Sequence, residues 1–341
     1  MPFRYVPASL VWPNGLLKRA YNYYMGLFAT ISSLSGENKG SAIDAVILAG
    51  YYGHLSGWLV TRFCRKRGIL SVIFSDEYPD FMLTLNTRFR LVRMFLTFTV
   101  TRRFNVMATI SKALYDYWQP VIDNRVNVIR YPLTAEVPRS ITEKSPFDFE
   151  YVFYSGFSRM RIGRGFLEKD EPEVLLKAFA LAAKSHPDLR LVITGEKNEK
   201  LADLAASIGI NNRVIFAGKV GESEYFSMIH YAAACVLPRP ETLQTKGSIP
   251  YRLGEYLLAG EWVISSDVGE IREIAGNAEG FLFYRPGDAE DLSDRTSSAL
   301  EEAQKGNRKF DRALFQEKFS PAGCSAELAW LIKSSTTLIQ N

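Results

Sequence analysis

Short, almost unbroken apolar runs recur along this chain, each followed by a stretch with helical spacing, and no other feature limits the fold so tightly. In the first part they fall at 44–50 (DAVILAG), 70–74 (LSVIF), 106–111 (VMATIS) and 126–130 (VNVIR). Helical patterns lie between them at 54–68, 88–103 and 112–118. A strand apolar on both sides has to be covered on both sides, and two parallel strands need a long crossover between them. The alternation therefore predicts an α/β chain built on doubly wound parallel sheet. Residues 132–150 break the pattern: they are polar, aperiodic and contain three prolines, as a linker would. The alternation restarts with strands expected at 151–156, 189–195, 214–218, 235–237 and 262–265. Helices are expected at 173–184, 197–208, 223–233 and from Pro250 to Gly260.

With 341 residues and 47% hydrophobic composition, the chain is long enough for two cores. It has no apolar run of spanning length and no signal-peptide layout at its start. Its three cysteines, Cys64, Cys235 and Cys324, are far apart in apolar sequence, which suits buried thiols in a reducing, cytoplasmic setting. Three scattered histidines make a zinc site improbable, and no metal site is expected. The net charge of +4 is unevenly divided: residues 1–140 hold 17 Lys+Arg against 8 Asp+Glu, leaving 24 against 29 for the rest. A basic half implies a polyanionic neighbour, either nucleic acid or an anionic membrane face. No nucleic-acid signature is present. In 88–103, Phe89, Val92, Phe95, Leu96 and Thr99 form one helical stripe and Arg90, Arg93 and Thr97 another. Such a helix can lie in a lipid interface or equally turn its apolar stripe to the core.

The stretch from Cys235 to Ile274 carries the chemistry. Pro250 suits a first helical position, and Ser248 and Ile249 just before it place the backbone donors of the first turn at an anion seat. Glu255 is a lone carboxylate among Tyr251, Leu253, Leu257 and Leu258, so it needs a partner or a cleft. Gly156, Gly195 and Gly218 end their strands on the side where ligands bind in parallel sheets. After the first of them, Arg159, Arg161, Arg164 and Lys169 crowd one glycine-containing turn. Those cations can grip a diphosphate or simply be a solvated basic loop.

LGEYLLAGEWVISSDVGEIREI (253–274) resembles the donor-binding core of the retaining, nucleotide-sugar-dependent glycosyltransferases of GT-B architecture, glycosyltransferase group 1 or family four. Glu255 matches the second Glu of that family's motif and Glu273 lies near its closing one. The first Glu is absent, because Gly247 stands eight residues before Glu255. VITGEK, VIFAGKV and GFLFYRPGDAEDL also resemble family stretches, as does VIRYPLT with Tyr131-Pro132 where Asn-Gly is usual. The likeness covers roughly 44–335, most closely 189–290.

It implies two Rossmann-like domains facing across a cleft: an abbreviated acceptor-side domain (1–135), a linker (136–149), a nucleotide-sugar domain (150–320), and a terminal helix (321–341) crossing back onto the first. The opening forty residues lack the family's initial strand and glycine turn, which implies a shortened domain or a start further upstream. They read at most as one helix, Leu16 to Leu34. The resemblance implies transfer of a sugar from a UDP- or GDP-linked donor to a hydroxyl with retention, without metal or other cofactor. The acceptor would be a lipid-linked oligosaccharide or cell-surface polysaccharide at the inner face of a membrane. By the same resemblance Glu255 holds the ribose, and the turn of Thr245, Lys246, Gly247 and Ser248 faces the sugar and phosphate, with Lys246 partly standing in for the lost Glu. Lys219 and Val220 meet the base, and Arg161 or Arg164 with Lys169 takes the diphosphate. Asp76 and Glu77 either contact the acceptor or cap a turn, while His54 is either catalytic or a capping residue. A degenerate, non-catalytic GT-B binding module is the alternative. A nicotinamide-dependent enzyme is disfavoured, since no G-x-G-x-x-G follows a strand.

Overall fold

The computed structural model describes residues 43–49, 54–79, 89–120, 127–130, 144–156, 160–162, 165–167, 169–195, 199–259, 262–276, 278–305 and 319–340, with a few single positions between them. The expected helix from Leu16 to Leu34 lies outside the described residues except at Met25, Gly26, Ala29 and Ser32, which are helical.

The first lobe alternates β1 (Ala45–Ala49), α1 (His54–Arg67), β2 (Leu70–Ser75), α2 (Arg90–Thr101), β3 (Val106–Thr109), α3 (Lys112–Trp118) and β4 (Asn127–Arg130). Its strands are parallel in the order β1-β2-β3-β4. α3 starts where Ser111 accepts a hydrogen bond from the Leu114 amide, the N-cap role that its short hydroxyl suits. Strands added in one direction by right-handed crossovers leave every connecting helix on the same face. Accordingly Leu48, Ile73, Met107 and Val128 cluster with Phe98 and Val100 of α2 and Trp118 of α3. Val46 packs with Val60 and Cys64 of α1.

The second lobe contains β5 (Tyr151–Ser155), a hairpin of β6 (Met160–Ile162) and β7 (Gly165–Leu167), α4 (Pro172–Ser185), β8 (Arg190–Thr194), α5 (Glu199–Ser207), β9 (Val214–Gly218) and α6 (Glu222–His230). It continues through β10 (Ala234–Leu237), α7 (Leu243–Gly247), α8 (Tyr251–Ala259), β11 (Trp262–Ser266), α9 (Ile271–Ala275), β12 (Phe281–Tyr284) and α10 (Ala289–Gln304). The parallel sheet runs β12-β11-β10-β5-β8-β9. Winding goes outward from β5 to β9, then returns to β10 and proceeds the other way, so helices cover both faces. Leu175 and Phe179 of α4, Leu201 of α5 and Leu292 and Leu300 of α10 lie with Val152, Leu191, Val236 and Ile264. On the opposite face Ile229 of α6 and Leu253 and Leu257 of α8 lie with Phe153, Cys235 and Val263. The order reverses between β5 and β10, and a parallel sheet opens a crevice at the carboxyl ends of such a strand pair.

The last helix, α11 (Pro321–Gln340), returns to the first lobe. Its Leu328 and Leu331 pack on Leu70, Val72, Val106 and Ala108, residues whose pleat points them away from α1, α2 and α3. It thereby covers the sheet face that one-way winding leaves bare. The lobes also share a core, because Tyr78, Ile110 and Leu114 of the first belong to the same buried cluster as Ile249 and Leu253 of the second.

Two local features depart from the sequence reading, and a third decides between alternatives it left open. The basic turn after β5 contains the antiparallel pair β6–β7, with Met160 opposite Leu167 and Ile162 opposite Gly165. The loop before α8 contains α7, closed by a capping box in which Thr242 and Thr245 each bond the other's backbone amide. On α2, the apolar stripe is not the buried one: Thr97 and Thr101 are buried, while Phe89, Leu91, Val92, Phe95 and Leu96 are exposed. The helix is amphipathic as predicted, with its apolar side outward. No described helix is long and apolar enough to cross a membrane.

Candidate active site

Beside the switch point, the carboxyl ends of β5 and β8 approach too closely for side chains. A Cβ on Gly156 would sit 2.0 Å from the Thr194 carbonyl oxygen. Gly195, at φ +101°, lies against Gly156 in a conformation that other residues rarely adopt. This packing leaves the end of β5 open toward α8, and a cavity of about 280 Å³ lies there between the lobes. The second lobe contributes Ser155 from β5, Lys169, Tyr225 from α6, and Arg239 after β10. It adds Ser248 and Ile249 at the amino end of α8, and Arg252 and Glu255 within it; Asp76, Glu77 and Ile110 come from the first lobe. A somewhat larger cavity, about 330 Å³, is lined by Asp44, Arg65 and Asn105 around the amino ends of β1 and β2. Ligand sites in parallel sheets form at the opposite, carboxyl ends, so the interlobe cavity is the candidate.

Glu255 faces this cavity, half-buried, and accepts a hydrogen bond from the Tyr225 hydroxyl at 2.8 Å. Burial and then the neighbouring carboxylate raise the Tyr225 pKa, so the phenol stays a donor. One turn earlier, Arg252 sits beneath the cavity floor. Its Nη2 pairs with Asp170 at 2.5 Å and its Nη1 donates to the Ser155 carbonyl, while Tyr154 donates its hydroxyl to the same Asp170 oxygen at 3.0 Å. Burial works against the Arg252 charge, yet Asp170 and the surrounding phenols hold its pKa above the ordinary value. The Ser155 amide donates to Tyr256, which fixes the end of β5 against α8.

Four contacts bring the lobes together. Lys169 pairs with Glu77 across the cleft, and the Lys112 amide donates to Glu270. Ser111 donates to the Gly247 carbonyl at 2.6 Å. The Tyr78 ring lies on Gly247 so closely that a Cβ there would be 2.3 Å from it. Where the family motif has its first Glu, this chain has a glycine because an aromatic ring from the other lobe takes that space.

Of the residues singled out in the sequence, the structure brings Glu255, Lys169, Ser248, Ile249, Asp76 and Glu77 to one cavity. Burial raises the Asp76 pKa, with Glu77 adding to the effect. Gly195 and Gly247 shape the walls from behind. Lys246 is not among the residues that line the cavity: its side chain is about half exposed and pairs with Glu241 at 2.7 Å. It sits in the last turn of a five-residue helix whose cap sets its direction, and the cap was not recognised in the sequence. Lys219 is exposed and Val220 half-buried at the carboxyl end of β9, beside the cavity but outside its lining. His54 opens α1. Arg159 and Arg164 lie outside the described residues, and Arg161 is placed only by its backbone, in β6 opposite Phe166. Sequence reasoning missed Ser155, Asp170, Tyr225, Arg239 and Arg252. For Arg239 a signal existed, since it is a lone charge between two prolines directly after an apolar strand, at 238 and 240. Among the described residues, no group of three or more metal-ligating side chains occurs.

Two parallel-sheet lobes, with a charged cavity between them at the switch point of the second, define a GT-B protein. Residues 161–314 match the family model described as glycosyl transferases group 1. A glycogen synthase from Mycobacterium tuberculosis is 25% identical over 191 residues, 55% of this chain and 41% of that protein. The chain thus spans about two-fifths of the length of that curated relative. Among solved structures, a sucrose-phosphate synthase from Thermosynechococcus elongatus aligns with a TM-score of 0.65 and 14% identity, over 93% of this chain and 79% of that one. Anabaena Alr3699/HepE in complex with UDP and glucose aligns with a TM-score of 0.64 and 13% identity, over 91% and 81%. A glycosyltransferase from Rickettsia africae gives 0.65 and 13%, over 95% and 84%. These likenesses show the fold. The chain has the GT-B fold, and residues 161–314 of it match the glycosyl transferases group 1 model.

Proposed function

We propose that the chain transfers a sugar from a UDP- or GDP-linked donor to a hydroxyl acceptor, with retention at the anomeric carbon and without a metal. The observation that carries this reading is the interlobe cavity at the switch point, where Glu255, two buried guanidiniums and Lys169 converge. Glu255 would receive the ribose hydroxyls. The cations and the amino end of α8 would stabilise charge as it develops on the departing diphosphate, an electrostatic mode that needs no resident cofactor. The Anabaena relative, in complex with UDP and glucose, supports a nucleotide-sugar donor. Thermal unfolding in the presence of UDP, GDP, uridine and guanosine tests the proposal. One diphosphate is expected to raise the melting temperature by several degrees at 100 times its Kd, equivalent to about 2.7 kcal/mol. No shift with either diphosphate would end the donor reading.

The contact of Tyr78 with Gly247 favours a second reading, a GT-B module that binds nucleotide sugar or a partner without turnover. Binding with no transfer across a broad acceptor panel would decide for it.

The acceptor is proposed to be a lipid-linked saccharide or nascent polysaccharide at the cytoplasmic face of a membrane. The outward apolar side of α2 supports this. Trp58 of α1 adds to it, partly exposed and flanked by the guanidiniums of Arg62 and Arg103 at 5.6 and 5.8 Å. An apolar face beside arginines suits an anionic lipid interface. Vesicles containing anionic phosphatidylglycerol should bind the protein, less so as salt rises. Leu91→Asp with Phe95→Asp should weaken binding at least about tenfold without lowering the melting temperature, since two buried leucine-sized groups contribute a few kcal/mol. Equal binding by that variant would remove this face from the proposal.

A further inference from the structure

Among the described residues, the cleft contains one cation with no carboxylate within ion-pair distance. Lys169 is answered by Glu77 and Arg252 by Asp170. Arg239, in the turn after β10, has no carboxylate within ion-pair distance among the described residues. It is 2% exposed. Its Nη2 donates to the Ser248 hydroxyl at 2.7 Å and reaches the Ser248 carbonyl at 3.5 Å, while its Nε has no partner. Its own amide donates to Ser266 at 3.1 Å, which anchors the turn and aims the side chain toward α8.

A guanidinium removed from water and left unpaired is a net cost to the fold. Burial lowers its pKa to about 10, so it still carries its charge at neutral pH. The group lines the interlobe cavity together with Ser248 and Ile249, at the amino end of the nine-residue α8, where the helix dipole also favours a negative charge. Charge is thus placed and desolvated where the sheet opens, with no ion-pair partner among the described residues and only the more distant Asp170 and Glu77 supporting it.

We propose that Arg239 is the residue that receives the donor's diphosphate, the ligand supplying the counter-charge that the protein omits. The inference rests on the donor reading above and assigns its phosphate subsite to the turn after β10, in addition to the cationic turn after β5. Guanidinium binds phosphate through charge-assisted hydrogen bonds, and the unpartnered Nε leaves this one with donor capacity that the protein does not use.

The test compares UDP, uridine and inorganic pyrophosphate by calorimetric titration on wild-type protein, Arg239→Met and Arg239→Lys. The wild type should bind UDP far more tightly than uridine. In Arg239→Met, UDP binding should weaken about thirtyfold while uridine binding is unchanged, as expected for charge-assisted hydrogen bonds worth roughly 2 kcal/mol. Arg239→Lys should fall between. Ligand-free Arg239→Met should melt at or above the wild-type temperature, because an uncompensated charge has left the interior. An unchanged ratio of UDP to uridine affinity in Arg239→Met overturns the inference, and so does ligand-free melting well below wild type, which would mark the guanidinium as structural. If wild type binds pyrophosphate through Arg239 but no nucleotide, the anion site stands and the donor reading falls. If it binds none of UDP, GDP and pyrophosphate, both fall.

Discussion

Glu255→Ala should lower kcat/KM for the nucleotide-sugar donor on the order of 10² to 10⁴-fold while leaving the folded state intact. A carboxylate that takes two ribose hydroxyls makes two charge-assisted hydrogen bonds, each contributing roughly 1.5–3 kcal/mol. Each 1.4 kcal/mol is a factor of ten. The loss should appear in donor affinity and transfer together, and be absent for a donor fragment that lacks the ribose hydroxyls. Stability is expected to change little, because Glu255 is only half-buried and its hydrogen bond is to the Tyr225 hydroxyl at the cavity wall. Glu255→Gln keeps the shape and one acceptor, so it should retain part of the activity. Transfer at the wild-type rate by Glu255→Ala would remove the carboxylate from the site.

The second large effect concerns stability. Arg252→Met should destabilise the protein by about 3–5 kcal/mol, read as a lowered denaturant midpoint at an unchanged slope. The partner left behind is Asp170, whose side chain is 3% exposed. One of its oxygens is already without a hydrogen-bond partner, and Tyr154 alone would answer the other. A buried carboxylate in that state is penalised far more than the pair itself stabilises. The double variant Arg252→Met with Asp170→Leu should therefore recover most of the loss, since an apolar pair of similar volume suits the interior. A single variant within 1 kcal/mol of wild type would show that water reaches Asp170 after all. The double variant should nonetheless bind donor poorly, because Arg252 also holds the Ser155 carbonyl and thus the end of β5.

How much of this was readable before the fold depends on the range of the interaction involved. Strands such as Val214–Gly218 and helices such as Lys112–Trp118 fall where apolar runs and a Ser cap place them, because those signals act between residues a few positions apart. Glu255 was legible for a related reason: a lone carboxylate on an apolar helix stands out in one dimension. The hairpin β6–β7 was hidden in a basic turn, since two three-residue strands carry too little periodicity to register. α2 shows the limit most clearly. Its two stripes were correctly separated, but which one turns inward is set by Phe98 and Val100 meeting Ile73 and Met107, a contact between segments that the helix pattern alone does not contain. The pairing of Lys246 with Glu241 was hidden likewise, because it depends on the geometry of a five-residue helix.

The sequence by itself determined the alternation of strand and helix, the α/β class, the second lobe's kinship and the place of Glu255, all consequences of local sterics and of burial periodicity. Tertiary structure alone decided where the winding reverses, and therefore which strand ends form the cavity. It decided that Gly247 is covered by Tyr78, that Asp170 answers Arg252, and that Arg239 has no ion-pair partner among the described residues. Each of those joins residues far apart in the chain, so the charge and the space they share exist only once the sheet and the two lobes have closed around them.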